Sequence, residues 1–473
     1  LTQKTRTPFR NAFANILLGV AIGAAVTLLG LKAAGVPLQP GLDTPAFRKF
    51  LSIYTDLHDK YFKAESDTTL INGAVDGMAK SLGDPFTEYL PPTDAMQLQN
   101  MLSGSYVGIG ITIEQVNHKL VIQAVSKNAP ADKAGLRPQD VIVKVNGTSL
   151  AGMSLDKATS LLLGPKGSQV TLTVDRPSVP GRSLTFTMKR AQIPKQTVFS
   201  KMLDKQIGYL QITVVADHTA DEVKQQLAKL QQSGAKRIIV DLRGNPGGYL
   251  DEAVNIAGNF IPKGKVVVQW VGRDGGKNVM KSPGPGISLP IVVLMDENTA
   301  SAAEILAAAL HEDDGAPLVG TKSFGKGTAQ TTVSFSDGSS FKYTIAKWLT
   351  PKGEWIHGKG LTPDVPVSLP AFTSLPPVDA NQLPLRPNSN NSNVAIVQKS
   401  LQALGYSVDR TDGYFDVSTE DAVKKFQASN QLPQTGLVDA QTANQLQTAL
   451  SDLAARSDTQ LQKAEQVALE HSS

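Results

Sequence analysis

Three separated segments carry side chains that could do covalent chemistry. Residues 290–304 read Pro-Ile-Val-Val-Leu-Met-Asp-Glu-Asn-Thr-Ala-Ser-Ala-Ala-Glu. The apolar run predicts a buried strand, the polar stretch a turn, and the Ala/Leu-rich sequence from Ala302 to His311 a helix. Ser301 then sits at a helix N-terminus, where unpaired amides and the positive dipole end stabilise an oxyanion forming beside it. Serine is also a common N-cap, so Ser301 alone does not decide for catalysis.

The second segment, 320–330, reads Gly-Thr-Lys-Ser-Phe-Gly-Lys-Gly-Thr-Ala-Gln, with Lys326 between two glycines before a strand over 328–335. Side chains alternate along extended chain, so Lys326 and Gln330 can share a face. A free lysine titrates near about 10.4 and is protonated at neutral pH. Burial in an apolar cleft lowers that by several units and makes the amine a general base for serine. Gln330 can then accept a hydrogen bond from the amine and fix its direction. Without Ser301, Lys326 would read as an ordinary surface lysine. The third segment is Val240-Asp-Leu-Arg-Gly-Asn-Pro-Gly-Gly248, a buried strand running into a Gly-rich loop. Gly247 or Gly248 could donate a backbone N–H toward the same oxyanion as Ala302. The loop lacks the Gly-Lys-Ser/Thr step of a phosphate loop.

The elements around these segments alternate. Strands are predicted over 209–215, 237–242 and 290–295, and helices over 221–232, 250–260 and 302–311, which argues for an α/β core in residues 191–370. Residues 104–190 differ: short β-rich runs at 108–113, 120–124, 141–145, 170–174 and 184–188 are separated by turns such as Asn146-Gly147, with one helix near 154–163. Before them, residues 44–99 follow helical periodicity. After the core, a Pro-, Asn- and Ser-rich stretch reads as an extended linker over 371–393. Helical periodicity returns over 394–450, followed by a polar helical tail over 451–473. No internal repeat is apparent.

Composition narrows the alternatives. At 473 residues, 41% hydrophobic and 19% charged, the chain is globular material for about three domains. It has no cysteine, which excludes disulfides, thiol catalysis and Cys-ligated zinc. The net charge of +4 comes without any dense Lys/Arg run interleaved with aromatics, so no nucleic-acid partner is expected. No His/Asp cluster suggests a metal, and no carboxylate pair suggests a sugar hydrolase. Of the six histidines, His311 lies on the predicted Ser301 helix but about 15 Å along its axis, too far to take the hydroxyl proton. Lys4, Arg6 and Arg10 precede 21 uncharged residues, Asn11 to Leu31, enough to span a hydrocarbon core of about 30 Å. The basic flank predicts an exported remainder. Either a retained anchor or a cleaved signal ending near Ala33-Ala34-Gly35 fits residues 1–35.

The motifs at 241–248, 298–304 and 325–330 together resemble the carboxyl-terminal processing peptidases, the tail-specific protease family S41. Lys326 follows Ser301 by 25 residues and Gln330 follows it by 29, as that pattern requires. The resemblance runs over residues 45–370. It implies a serine endopeptidase with a Ser301–Lys326 dyad, no cofactor, and a crotonase-like α/β core within a multidomain α+β chain. Residues 104–190 resemble an inserted PDZ domain, with Val107, Gly108, Ile109, Gly110 and Ile111 after Tyr106 as the loop that captures a peptide's C-terminal carboxylate. Leu163 stands where many relatives carry an arginine used in gating. Residues 394–450 resemble a small three-helix peptidoglycan-binding domain. The implied partners are protein substrates with exposed C-termini, peptidoglycan, the membrane, and a second copy of the chain through the helical region 36–103 or the tail. A wall-bound PDZ scaffold without catalysis is the rival reading; it has no need for Ser301, Lys326 and Gln330 together.

Overall fold

Apolar runs in residues 207–212, 237–241 and 291–295 form the centre of a sheet because both faces of each strand are buried. The computed structural model describes residues 44–116, 119–179 and 181–470. The predicted span Asn11–Leu31 lies outside them, and no helix among the described residues is long and apolar enough to cross a membrane. The chain divides after Tyr89 into two compact units. In the first, helices Pro45–Lys60 and Asp67–Ser81 begin at Thr44 and Ser66, whose hydroxyls accept from the N–H groups of Phe47 (3.2 Å) and Thr69 (3.1 Å). The helix Pro45–Lys60 buries none of its residues within the chain.

In the second unit the core sheet runs in the order Val198–Met202, Ile207–Ile212, Arg237–Asp241, Ile291–Met295, Leu318–Gly320, Val365–Pro366. The first pair is antiparallel and the rest are parallel. Period-two alternation divides the strands between two cores. Ile238, Val240, Ile291 and Val293 pack under helices Thr219–Gln232, Leu250–Ala257 and Ala302–Asp314. Ile239, Val292, Leu294 and Val319 face the other way, against Ala464, Val467 and Ala468 of helix Thr459–Glu470. The tail expected to be polar therefore covers one face of this sheet. Its 12 residues are too few for a stable isolated helix, so docking is what holds it.

A second, antiparallel sheet orders Thr328–Ser334, Ser340–Leu349, Val266–Gly272 and Lys277–Lys281. Of these strands only the first is among those predicted from the sequence. Residues 105–194 form the predicted β-domain. Strands Ile111–Val116, Lys119–Val125, Val141–Val145, Gln169–Asp175 and Ser183–Lys189 pair in that order around helices Pro130–Ala134 and Leu155–Leu162. Ser105–Gly108 leaves this sheet and pairs with Ala191–Pro194 at the junction with the core.

The C-terminal module packs helices Ser392–Ala403, Val417–Ser429 and Ala440–Arg456 around Val397, Leu401, Phe415, Val423, Phe426 and Leu446. Leu385, expected in an extended linker, is buried in this core and exchanges backbone hydrogen bonds with Val438. The module also repeats itself. Gln398 accepts from the Gly413 N–H (3.0 Å) and donates to Tyr414 O and Thr419 Oγ1. Gln427 likewise accepts from the Gly436 N–H (3.0 Å) and donates to Leu437 O and Thr442 Oγ1. The repeat hides in the sequence because the loops between its parts differ in length.

Candidate active site

The strand Ile291–Met295 delivers a turn that ends at Ser301, and helix Ala302–Asp314 follows. Ser301 has φ 55° and ψ −119°. An ordinary N-cap serine has extended backbone, so this conformation is strained for a residue with a Cβ. Thr299 anchors the turn: its hydroxyl donates to Leu242 O (2.9 Å), and the N–H of Ala300 donates to Asn245 O (2.9 Å). The Gly-rich loop is thereby tied to the serine turn. A Cβ placed on Gly247 would lie 2.9 Å from Ser301 Cβ and 2.9 Å from Ala302 N, at a φ of 97° that favours glycine. A Cβ on Gly248 would meet Val215 O at 1.8 Å, so the loop cannot lie this close to strand Ile207–Ile212 and its extension without glycine. Gly247 N–H donates to Asn245 Oδ1 (2.9 Å). Of the two glycine amides, that of Gly248 is the one not engaged by Asn245.

Glu304 joins the serine turn to the lysine loop, and sequence reasoning gave it no role. Its carboxylate is fully buried. It accepts from the N–H groups of Ser301 (2.8 Å), Gly325 (2.7 Å) and Lys326 (2.8 Å) and from the Ser323 hydroxyl (2.6 Å). A buried carboxylate is costly unless its lone pairs are met, and here the donors are the backbone of the two segments that must converge. Its place three residues after Ser301, at the third helical position, was the one available signal. On the far side of Lys326, the indole N–H of Trp348 donates to Lys326 O (2.8 Å) and that of Trp355 to Gly327 O (2.8 Å).

Gln330 follows in strand Thr328–Ser334, where a bulge falls between Ala329 and Gln330. Simple alternation therefore does not set its direction. Its amide nitrogen does, donating to Thr328 Oγ1 (2.9 Å) and Thr344 Oγ1 (3.2 Å), which turns the carbonyl oxygen away from both threonines. His311 lies in the last turn of the Ser301 helix, with Nδ1 3.0 Å from Ala316 O, far from the serine.

Two cavities adjoin the Gly-rich loop. One of about 670 Å³ is lined by Tyr106, Gly108, Ile109, Gly110 and Ile111 together with Leu162 and Leu163, and it reaches Pro246 of that loop. Val107 is not part of its wall; it pairs with Gln192 in the junction strands. Burial raises the Tyr106 hydroxyl pKa. The other cavity, of about 820 Å³, holds Tyr249 and Leu250 at the other end of the loop, with Gln330, Trp270 and Met280. Burial, followed by the charge of Asp217, raises the Tyr249 hydroxyl in the same way. The loop 246–249 thus stands between the β-domain groove and the cleft containing Gln330.

This constellation invites comparison with known proteins. The family model for Peptidase family S41 matches residues 206–367. The chain is 38% identical over 452 residues to the carboxy-terminal processing protease CtpA of Bacillus subtilis (strain 168), across 95% of this chain and 96% of that protein. It is 35% identical over 458 residues to CtpB of the same organism, across 94% and 95%. The chain belongs to the carboxy-terminal processing proteases of family S41. As a member of that family it is a serine peptidase. A PDZ domain model matches residues 121–176, a peptidoglycan-binding domain model residues 390–446, and the model of the activating protease CtpB N-terminal domain residues 38–93. Among solved structures, the photosystem II D1 C-terminal processing protease is 30% identical, covers 69% of this chain and 88% of its own, and has a TM-score of 0.41.

Proposed function

We propose that this processing peptidase cleaves by a Ser301–Lys326 dyad oriented by Gln330, acting outside the cytoplasm on protein segments whose C-termini dock in the PDZ groove. The observation that carries the reading is the Glu304 carboxylate, which holds the backbone of Ser301 and of Lys326 on one buried group. Ser301 Oγ attacks the scissile carbonyl carbon while the neutral Lys326 amine takes its proton. The carbonyl oxygen becomes an oxyanion facing the N–H groups of Ala302 and of the Gly247–Gly248 loop, with Gly248 the donor and Gly247 the residue whose missing side chain makes room. Collapse breaks the C–N bond, and the lysine ammonium returns the proton to the leaving amine. Water, deprotonated by Lys326, then hydrolyses the Ser301 ester. Lys326 works as a base only while it is shielded from water and neutral.

The groove places a substrate's carboxylate at the loop Gly108–Ile111, and the chain upstream of it passes the Gly-rich loop toward Gln330. The proposed domain limits are 104–190 for the PDZ domain and 191–370 for the peptidase core, with the tail helix assigned to the core; the wall module, expected over 394–450, takes in Leu385 before it and runs to Arg456. The peptidoglycan-binding match supports attachment to the cell wall, and the basic flank before Asn11–Leu31 supports export with a membrane anchor. The helix Pro45–Lys60, amphipathic and without buried residues, is the proposed contact for a homodimer. Purified Ser301→Ala and Lys326→Ala test the dyad: both are expected to fold and to leave an unfolded substrate uncut. Cleavage by Lys326→Ala at the wild-type rate would overturn it.

A further inference from the structure

The C-terminal helix does more than cover the sheet. Asp241 ends the strand Arg237–Asp241 on the face where Ile239 meets that helix, and it is 1% exposed. Arg243, two residues later, donates to it through Nε (3.0 and 3.1 Å) and Nη2 (2.7 Å). The same guanidinium donates to both oxygens of Asp458, from Nη1 (2.8 Å) and Nη2 (2.9 Å), and from Nη1 to Gln460 Oε1 (3.1 Å). A planar fork held by a carboxylate at each side has little freedom to turn. Burial resists ionisation of Asp458, yet the Arg243 hydrogen bonds bring its pKa below the usual carboxylate value.

From Arg243 the chain is fixed step by step to the serine. Gly244 N–H donates to Asp296 Oδ1 (2.9 Å), Asn245 Nδ2 to Ile212 O (2.8 Å), and Asn245 O accepts from Ala300 N–H. Gly247 then lies against Ser301. We propose that Asp458 and Gln460 are positioning residues for the Gly-rich loop: they clamp Arg243, and the clamp sets where the loop presents its amide to the oxyanion. The inference rests on the peptidase reading above. The clamp lies well beyond residues 206–367, the extent of the family match, and on the far side of the wall module.

The points where the chain leaves the core and returns to it are also stapled together. Thr459 Oγ1 donates to Ser368 O (2.8 Å) and Gln460 Nε2 to Val367 O (3.0 Å). The wall module is therefore hung from a closed base, and the start of the returning helix Thr459–Glu470, with Asp458 before it, grips the Gly-rich loop through Arg243.

The test uses the full chain with a peptide substrate, measuring kcat, KM, Tm and the rate of Ser301 acylation by a serine-reactive β-lactone, which opens to form an ester with the hydroxyl. A loop displaced by a fraction of an ångström costs on the order of 10- to 100-fold in rate. Asp458→Asn is expected to lower kcat and acylation by about that factor, with KM changed less than about twofold, and Asp458→Glu to restore most of it. Gln460→Leu, which leaves both carboxylates in place, is expected to lower kcat by a smaller factor of about 3 to 10 and serves if Asp458→Asn does not fold. Wild-type kcat in these variants, whether or not Tm falls, overturns the inference and leaves a purely structural clasp. Failure of the wild-type chain to acylate at Ser301 would instead overturn the peptidase reading.

Discussion

Two buried carboxylates hold the two sides of this site, and they are neutralised differently. Glu304 is met by backbone N–H groups and one hydroxyl; Asp241 is met chiefly by the Arg243 guanidinium, with the Arg243 N–H (2.9 Å) and the Tyr209 hydroxyl (2.7 Å) besides. Hydrogen bonds to a charged group are each worth about 1.5–3 kcal/mol, so several can offset a desolvation cost of several kcal/mol. Glu304 thereby fixes main chain directly: the serine turn and the lysine loop cannot separate without stranding it. Asp241 chiefly fixes a side chain, that of Arg243, whose remaining donors must find partners elsewhere, and they find them in Asp458 and Gln460 at the start of the C-terminal helix. Burial pushes the Tyr209 hydroxyl up, and the charge and hydrogen bond of Asp241 push it further. One carboxylate organises the site locally; the other makes the site depend on a segment more than two hundred residues away.

The comparison can be broken at several points. Replacing Ser301 or Lys326 by alanine is expected to cost the most, on the order of 10³-fold or more in kcat at unchanged Tm, read from peptide cleavage. Glu304→Gln comes next. An amide turns a donor toward N–H groups that need an acceptor, so kcat is expected to fall about 10- to 1000-fold, with a stability loss of about 1–3 kcal/mol by chemical denaturation. A larger effect of Glu304→Gln on Tm than on kcat would mean that it merely supports the core. Gln330→Ala is expected to cost about 10-fold in kcat, since in the proposed dyad it orients the base without being the base.

The PDZ groove should respond in KM rather than kcat. Ile111→Asp puts a charge in an apolar wall and is expected to raise KM about 10-fold for substrates with apolar C-termini. The same variant should leave cleavage of a short peptide that does not reach the groove unchanged. The smallest effect concerns pH. Asp458 is depressed in the folded chain, so its contribution is present above the unfolded value near about pH 4 and lost as pH falls through the folded one. Protection factors of the amides of residues 459–470, that is, exchange rates corrected for the intrinsic pH dependence of amide exchange, are expected to be flat from about pH 5 to 8 and to fall only below about pH 4, while Asp458→Asn shows no such step.

Much of this was legible from local pattern. Long apolar runs marked the strands Arg237–Asp241 and Ile291–Met295, and Ser301, Lys326 and Gln330 stood out by type, order and spacing. The second sheet was harder, because Lys277–Lys281 and Ser340–Leu349 interleave lysines with small and aromatic residues and leave much of their surface in water. The tail escaped for a related reason. Its buried residues are Gln460, Ala464, Val467 and Ala468, too small and too polar to read as an apolar stripe. The dependence of Arg243 on Asp458 has no local signal at all, since a buried arginine names its partner only once the chain is folded. Glu304 lay in plain view, three residues after Ser301, but its role follows from where Gly325 and Lys326 end up.

The account turns on Lys326 acting as a neutral base for Ser301, and acylation of Ser301 as a function of pH tests that most directly. Wild-type chain treated with a serine-reactive β-lactone and weighed intact should acquire one acyl adduct, mapped to Ser301. Its rate should rise through an ionisation well below about 10.4. Lys326→Ala should lose that ionisation and acylate at least about 100-fold more slowly at neutral pH. Equal rates in the two proteins, with the same pH profile, would contradict the dyad.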